Sequence, residues 1–275
     1  MMSYLELILG AVAVTLLAFV AVRAGAIDLS GAASGGIISY VAYLAGGLSW
    51  LVIIIIFFGV SSSLTRYRYD YKLKIGSAQE KSGKRSWPNS VANSGVAFAI
   101  SLVQLISPSE LLAIGFLASI STAMADTLAT EIGVLSHSTP RLITNFKERV
   151  KPGTSGGVSE LGELTAFLTS ISMAIIGLLL YMFSFGDVTI VSVIVSVSIG
   201  AMVGTTFDSF LGATIQALYK CAVCGQFTES RTHHEQRTTQ VRGFKLIENN
   251  SVNFIGILLG TLVSLFSYFL LSRLI

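Results

Sequence analysis

Long apolar runs separated by three polar, cation-rich stretches dominate the chain. A membrane-crossing helix needs about 20 mostly apolar residues. The hydrophobic pattern predicts eight such helices, at residues 4–22, 30–46, 48–64, 89–107, 110–134, 159–184, 188–217 and 251–272. The second and third abut at Gly46-Gly47, so a seven-helix reading that fuses them is the alternative. The first run has no basic leading region and no small-residue cleavage site, and Arg23 follows it, so it reads as a retained helix and not a signal peptide. The expected fold class is all-α: a polytopic helical membrane protein forming a single integral membrane domain over residues 1–275.

Charge placement orients these helices. Sixteen of the eighteen basic residues fall in three loops, 65–88, 135–158 and 218–250. Basic loops remain cytoplasmic. With eight helices the three loops and Arg23 share that side, while the other side receives only short connections such as Ser107-Pro108 and Phe185-Gly186-Asp187. Fusing the second and third helices would move Arg23 and Asp28 across the membrane. A weak internal repeat also favours four plus four, with halves 1–107 and 110–275 in parallel orientation. Ser34-Gly35-Gly36-Ile37 resembles Ser155-Gly156-Gly157-Val158, and Asn89-Ser90-Val91 resembles Asn250-Ser251-Val252.

Composition narrows the function classes. The chain is 52% hydrophobic and 12% charged, against about 25% charged residues in soluble domains, and its mean hydropathy is +0.73. A water-soluble domain and a disordered chain are excluded. A net charge of +3 gives no dense basic face for nucleic acid. Two cysteines exclude a disulfide framework.

Acids inside the membrane are costly, so each needs a reason. Asp126 and Glu131 lie in the fifth helix and Asp208 in the seventh, all among small and hydroxylic residues. Such surfaces let helices approach closely and leave room for an ion beside the carboxylates. Asp208, Gly212 and Gln216 form a stripe at i, i+4 and i+8. A polar clasp between helices is the structural alternative. After the fifth helix, four cations, Arg141, Lys147, Arg149 and Lys151, precede Gly153-Thr154-Ser155-Gly156-Gly157, which leads into a helix. Such a turn aims backbone N–H groups and helix-terminal positive potential at an anion. Asp126 and Asp208 can hold Mg²⁺, which takes oxygen ligands and shares itself with substrate phosphates, with Glu131 a further acid for that ion. Lys151, Thr154, Ser155, Gly156 and Gly157 would hold the phosphates. Lys84 and Arg85 precede Asn93 in the corresponding place of the first half, as Asn253 opens the last helix.

The stretches Ala-Asp-Thr-x-Ala-Thr-Glu-Ile-Gly at 125–133, Val-Lys-Pro-Gly-Thr-Ser-Gly-Gly-Val at 150–158 and Asp-Ser-x-Leu-Gly-Ala-Thr-x-Gln at 208–216, with the Asn-rich start of the last helix, resemble the membrane family that includes transmembrane protein 19 and chloroplast phytyl-phosphate kinase. The resemblance covers nearly the whole chain. It implies a lipid kinase that converts an isoprenyl monophosphate to the diphosphate with a nucleoside triphosphate, CTP or ATP. A looser likeness to CTP-dependent dolichol and phytol kinases and phosphatidate cytidylyltransferase implies Mg²⁺ at Asp126, phosphate binding at Thr154 and Ser155, and Asp208 as a second acid. Thr127 and Ser209, which follow the two acids, and Gln216 join the nucleotide-binding set. The chain lacks the acidic signature that follows the second acid in cytidylyltransferases, which favours phosphoryl transfer over cytidylyl transfer.

Cys221-Ala222-Val223-Cys224-Gly225 followed by His233 and His234 has a zinc-knuckle shape; reduced thiols near the membrane surface are the leading reading, and a structural Zn²⁺ held by Cys221, Cys224 and one or both histidines is the alternative to it. The expected partners are an isoprenyl phosphate, a nucleotide and membrane lipids. The expected location is the cell membrane, with the site open to the cytoplasm. An ion-coupled secondary transporter fits repeated halves and intramembrane acids as well. It needs access from both sides, whereas the acids and the phosphate-type turn here gather at one.

Overall fold

The computed structural model describes residues 2–78, 83–181 and 190–274. The connection at Phe185-Gly186-Asp187 and Lys81 in the loop 65–88 lie outside the described residues. Among the described residues, seven helices are long and apolar enough to cross a membrane: α1 (Tyr4–Arg23), α2 (Leu29–Arg66), α4 (Trp87–Ile106), α5 (Glu110–Gly133), α6 (Glu160–Tyr181), α7 (Ile190–Thr214) and α8 (Asn249–Leu271), with a short α3 (Tyr69–Lys74) after α2. The protein is therefore a polytopic, mostly helical integral membrane protein.

The helix α2 accounts for the difference between eight expected runs and seven continuous helices. Its 38 residues are interrupted at Gly47, whose φ of 67° and ψ of −156° leave helical space; a side chain there would be strained. A straight helix of that length would extend about 57 Å. Instead its two ends return to one place. Arg66 Nη1 donates to Ala24 O at 2.8 Å, while Asp28 N donates to Arg85 O at 3.0 Å. The residues before and after Gly47 thus form two antiparallel arms, with Ile38, Leu51 and Ile54 of both arms lining one groove.

The helix α5 is the hub, buried on nearly every side from Ala113 to Ala125. Its Phe116 ring stacks on Trp50 of α2 with centroids 3.9 Å apart. Around it α7 and α8 cross through glycine. A Cβ on Gly204 would lie 2.8 Å from Gly256 O, and one on Gly260 would lie 2.7 Å from Gly200 O. Two small-xxx-small pairs therefore bring the backbones together, the packing that membranes favour when no hydrophobic drive remains between helices. Ser264 Oγ fixes the register by donating to Ser196 O at 3.0 Å, fully buried.

Two of the loops, 135–158 and 218–250, contain short strands that the sequence did not predict. In the first, β1 (Arg141–Leu142) pairs antiparallel with β2 (Asn145–Arg149) and with β3 (Gly157–Val158). In the second, β4 (Leu218–Lys220) pairs with β5 (Phe227–Thr228) and with β8 (Thr239–Arg242), and β6 (Thr232–His233) pairs with β7 (Gln236–Arg237). All five residues of β2 are exposed, so these strands carry no inside–outside alternation for a pattern to detect.

Candidate functional site

The two intramembrane acids meet at the junction of α5, α7 and α8. Thr122 of α5 packs where Gly204 of α7 leaves space, and both helices run in the same direction. One turn further along each stand Asp126 and Asp208. The two carboxylates are near enough to act on each other electrostatically. The third wall is α8. A Cβ on Gly256 would touch Asp208 Cβ at 3.2 Å, and with the Asn253 amide turned so that its nitrogen faces the two oxygens around it, that nitrogen donates to Asp208 Oδ2 at 3.2 Å and to Asn249 O at 2.9 Å. Asp126, Asp208 and Asn253 thus form one oxygen-rich cluster on three helices.

The glycine turn covers the end of α7 beyond that cluster. Gly156 holds φ at 80°, and a side chain on it would strike Ala213, so the left-handed turn and the close approach both require glycine. Its carbonyl accepts from Ile143 N at 2.9 Å, and Gly157 N donates back to Thr154 O at 2.8 Å, which ties the turn to the first small sheet. Ser155 Oγ donates to Glu229 Oε1 at 2.5 Å, and the Glu229 charge acts on Asp208. Arg242 adds the balancing cation. Its Nη2 donates to Gly212 O at 2.6 Å and its charge interacts with Glu229, while burial lowers its pKa from the usual guanidinium value. Gly153, also at φ 80°, abuts Ser77, whose Oγ donates to Pro152 O at 2.8 Å.

The remaining expected site residues divide. Gln216 and Asn93 are buried, and Gln216 Nε2 and Asn93 Oδ1 have no hydrogen-bond partner among the described residues. Asn89, one turn from Asn93, donates to Asn250 Oδ1 at 3.2 Å and joins the starts of α4 and α8. Thr127 turns its hydroxyl back to Ala123 O at 2.8 Å. Ser209 is half-buried on α7 beside Asp208, and Lys151 and Lys84 are exposed. Glu131 is engaged elsewhere. Its carboxylate pairs with Lys72 Nζ at 2.6 Å, both groups nearly inaccessible, and Lys72 also donates to Leu64 O at 2.7 Å. A buried carboxylate held this way is a strut between α3 and α5, and we remove it from the metal set. Lys72, Glu229 and Arg242 are the residues the sequence reading missed.

A groove of about 400 Å³ opens between α1, both arms of α2 and the start of α4. Ile38, Leu51, Ile54 and Phe57 make it apolar, and Arg66, Arg85, Asn89 and Asn93 close one end. The Arg85 guanidinium sits 5.9 Å above the Phe57 ring; burial lowers its pKa, and Glu131 opposes that shift. Asn89 at that end bonds to Asn250, about one turn before Asn253 on α8, so the groove's polar end and the acid cluster lie at the same end of the helix bundle.

In the second loop Cys221 Sγ, Cys224 Sγ and a His233 ring nitrogen lie within 4.8 Å of one another. Hydrogen bonds from the Cys224 and Val223 N–H groups and from His233 lower the Cys221 thiol pKa to about 7. His234 does not join the group; its ring meets His233 edge-on at 4.3 Å.

Taken together, these features define a polytopic membrane protein whose acids, amides and glycine turn gather at one end of the helix bundle. Residues 12–261 match the integral membrane protein DUF92 family, and the chain belongs to it. It is 29% identical to protein PGR of Arabidopsis thaliana, over 94% of this chain and 95% of that protein. It is 28% identical to protein VTE6, chloroplastic, of the same plant, over 86% of this chain and 65% of that protein. A membrane protein of Methanocaldococcus jannaschii is 27% identical over 78% of this chain and 86% of its own length. No solved structure matches the chain.

Proposed function

We propose that the protein is a membrane-embedded phosphotransferase that converts an isoprenyl monophosphate to the diphosphate with a nucleoside triphosphate as donor, working at the cytoplasmic face. The observation that carries this reading is the meeting of Asp126, Asp208 and Asn253 beneath the Gly156 turn, with the cationic end of an apolar groove at the same end of the bundle. The resemblance to the phytyl-phosphate kinase family points the same way.

The donor set suits Mg²⁺, with two carboxylates from separate helices, and Asn93 Oδ1 in the groove lining is buried with no hydrogen-bond partner among the described residues. Asp126 and Asp208 would hold the ion, which when bound neutralises phosphate charge. The chain's own groups do the rest. The Thr154 and Ser155 hydroxyls and the Ser155 and Gly156 N–H groups bind the nucleotide phosphates, and Ser155 exchanges its hydroxyl bond to Glu229 for one to a phosphate oxygen. Lys151 and Arg242 supply positive charge as the phosphoryl group transfers. Asn253 orients Asp208 through its hydrogen bond. The groove takes the isoprenyl tail out of water, and Arg85 pairs with the acceptor phosphate. That acceptor has its second pKa near about 6, so it is largely ionised at neutral pH and no strong general base is required. Phosphoryl transfer of this kind rests on positioning and charge stabilisation.

The test is the purified protein in detergent with labelled CTP or ATP, Mg²⁺ and phytyl or geranylgeranyl monophosphate. Isoprenyl diphosphate should form, and Asp126→Asn and Asp208→Asn should each abolish it while the proteins remain monodisperse. Absence of diphosphate with every nucleotide, with solute uptake by proteoliposomes, would replace the enzyme with a carrier.

A further inference from the structure

The second loop carries a cluster that the phosphotransfer chemistry does not use. Residues 221–225 fold as a tight knuckle. Gly225 N donates to Cys221 O at 3.0 Å, Gly225 takes φ 70°, and Val223 N donates to Cys221 Sγ at 3.3 Å. N–H groups aimed at a cysteine sulfur favour the thiolate, which is the form that ligates metal. The β6–β7 hairpin then delivers the third group. His234 and Glu235 both hold positive φ, at 52° and 60°, and this reversal places His233 Nδ1 3.5 Å from Cys224 Sγ. A tetrahedral zinc with bonds of about 2.0–2.3 Å separates its ligand atoms by about 3.5–3.8 Å. The Cys–His spacing already fits, and the group's 4.8 Å limit needs only a small contraction. Two sulfurs and an imidazole nitrogen select zinc over the oxygen-seeking Mg²⁺.

We infer that Cys221, Cys224 and His233 bind one Zn²⁺ per chain, with the fourth position outside these three residues, and that this ion fastens the β4–β5 turn to the β6–β7 hairpin. Binding releases the thiol protons to solvent. The fastened segment contains Glu229, the partner of Ser155, so the zinc acts as a brace for the loop over the acid cluster and touches no reacting atom. The inference stands whether or not the protein is a kinase.

Elemental analysis of the detergent-purified full chain, grown with zinc and prepared without chelator, should find one zinc per chain. Cys224→Ser and His233→Ala should lose it, and His233→Cys should keep it. Chelation should accelerate tryptic cleavage at Arg231 and Arg237, leaving the other basic loops unchanged. Should the serine variant fail to fold, Co²⁺ added to the apo wild-type protein supplies the check, because thiolate ligation gives a sulfur-to-metal absorption band. Zinc far below one per chain, zinc undiminished in a folded Cys224→Ser protein, or no such band would overturn the site.

Discussion

Where α7 crosses α8, glycine faces backbone across the interface, and Gly204 and Gly260 leave less than a methyl group's room. Between α1, the arms of α2 and α4 the helices stand apart around about 400 Å³ of apolar space, and a Cβ on Gly59 of its wall would meet nothing within 4 Å. The same residue type closes one region and opens the other. The close-packed junction can hold two acids rigidly because every neighbouring backbone is fixed by contact. The open one can accept a flexible chain because little is fixed there. On α1 the outward residues Leu5, Ile8, Leu9 and Val12 are exposed, as a lipid-facing helix requires. A site for a polar donor and a tailed acceptor needs both kinds of packing side by side.

The comparison breaks most visibly at its glycines. Gly204→Leu or Gly260→Leu should part α7 from α8 and abolish folded protein, read as loss of the monodisperse peak on size-exclusion chromatography. Gly59→Leu should leave that peak intact and raise the KM for the lipid about tenfold by filling the groove. A folded, fully active Gly204→Leu protein would refute the tight junction.

Next in size is the buried Lys72–Glu131 pair between α3 and α5. Breaking a buried ion pair costs about 3–5 kcal/mol because the remaining charge is left unsatisfied, whereas an apolar replacement of both partners is often neutral. Lys72→Met alone should therefore lower thermal stability sharply, and Lys72→Met with Glu131→Leu should recover most of it with catalysis retained. If the double variant is stable but inactive, Glu131 returns to the metal set.

Smaller effects belong to the groove's cationic end and to the glycine turn. Arg85→Gln should raise the KM for the isoprenyl phosphate by about tenfold, as about 1.4 kcal/mol of lost charge pairing implies, with little change in the KM for nucleotide. Ser155→Ala should cost only a few-fold, since the turn's N–H groups remain, and should act on nucleotide KM alone.

The helix boundaries and the acid pair were legible because a membrane imposes length and apolarity on every crossing and makes each buried charge conspicuous. Asp126 and Asp208 stood out from the small residues around them, and the Gly153–Gly157 turn announced its backbone need. Lys72 was not legible. It looked like one more cation of a topogenic loop, and its partner Glu131 lies 59 positions away. Glu229 and Arg242 were hidden for a related reason: in a polar loop a charged residue carries no contrast. The break at Gly47 was visible as Gly46-Gly47, and the shared side of Arg23 and the first basic loop already required the arms to fold back, as the meeting of Arg66 with Ala24 shows they do.

The central claim is that carboxylates from α5 and α7 share one divalent ion. Titration of the detergent-solubilised protein with paramagnetic Mn²⁺ in the presence of nucleotide tests it most directly. One tight site should be found in the wild-type protein, and it should disappear in Asp126→Asn and in Asp208→Asn alike while Glu131→Gln keeps it. Unchanged Mn²⁺ binding in either aspartate variant would contradict the shared site.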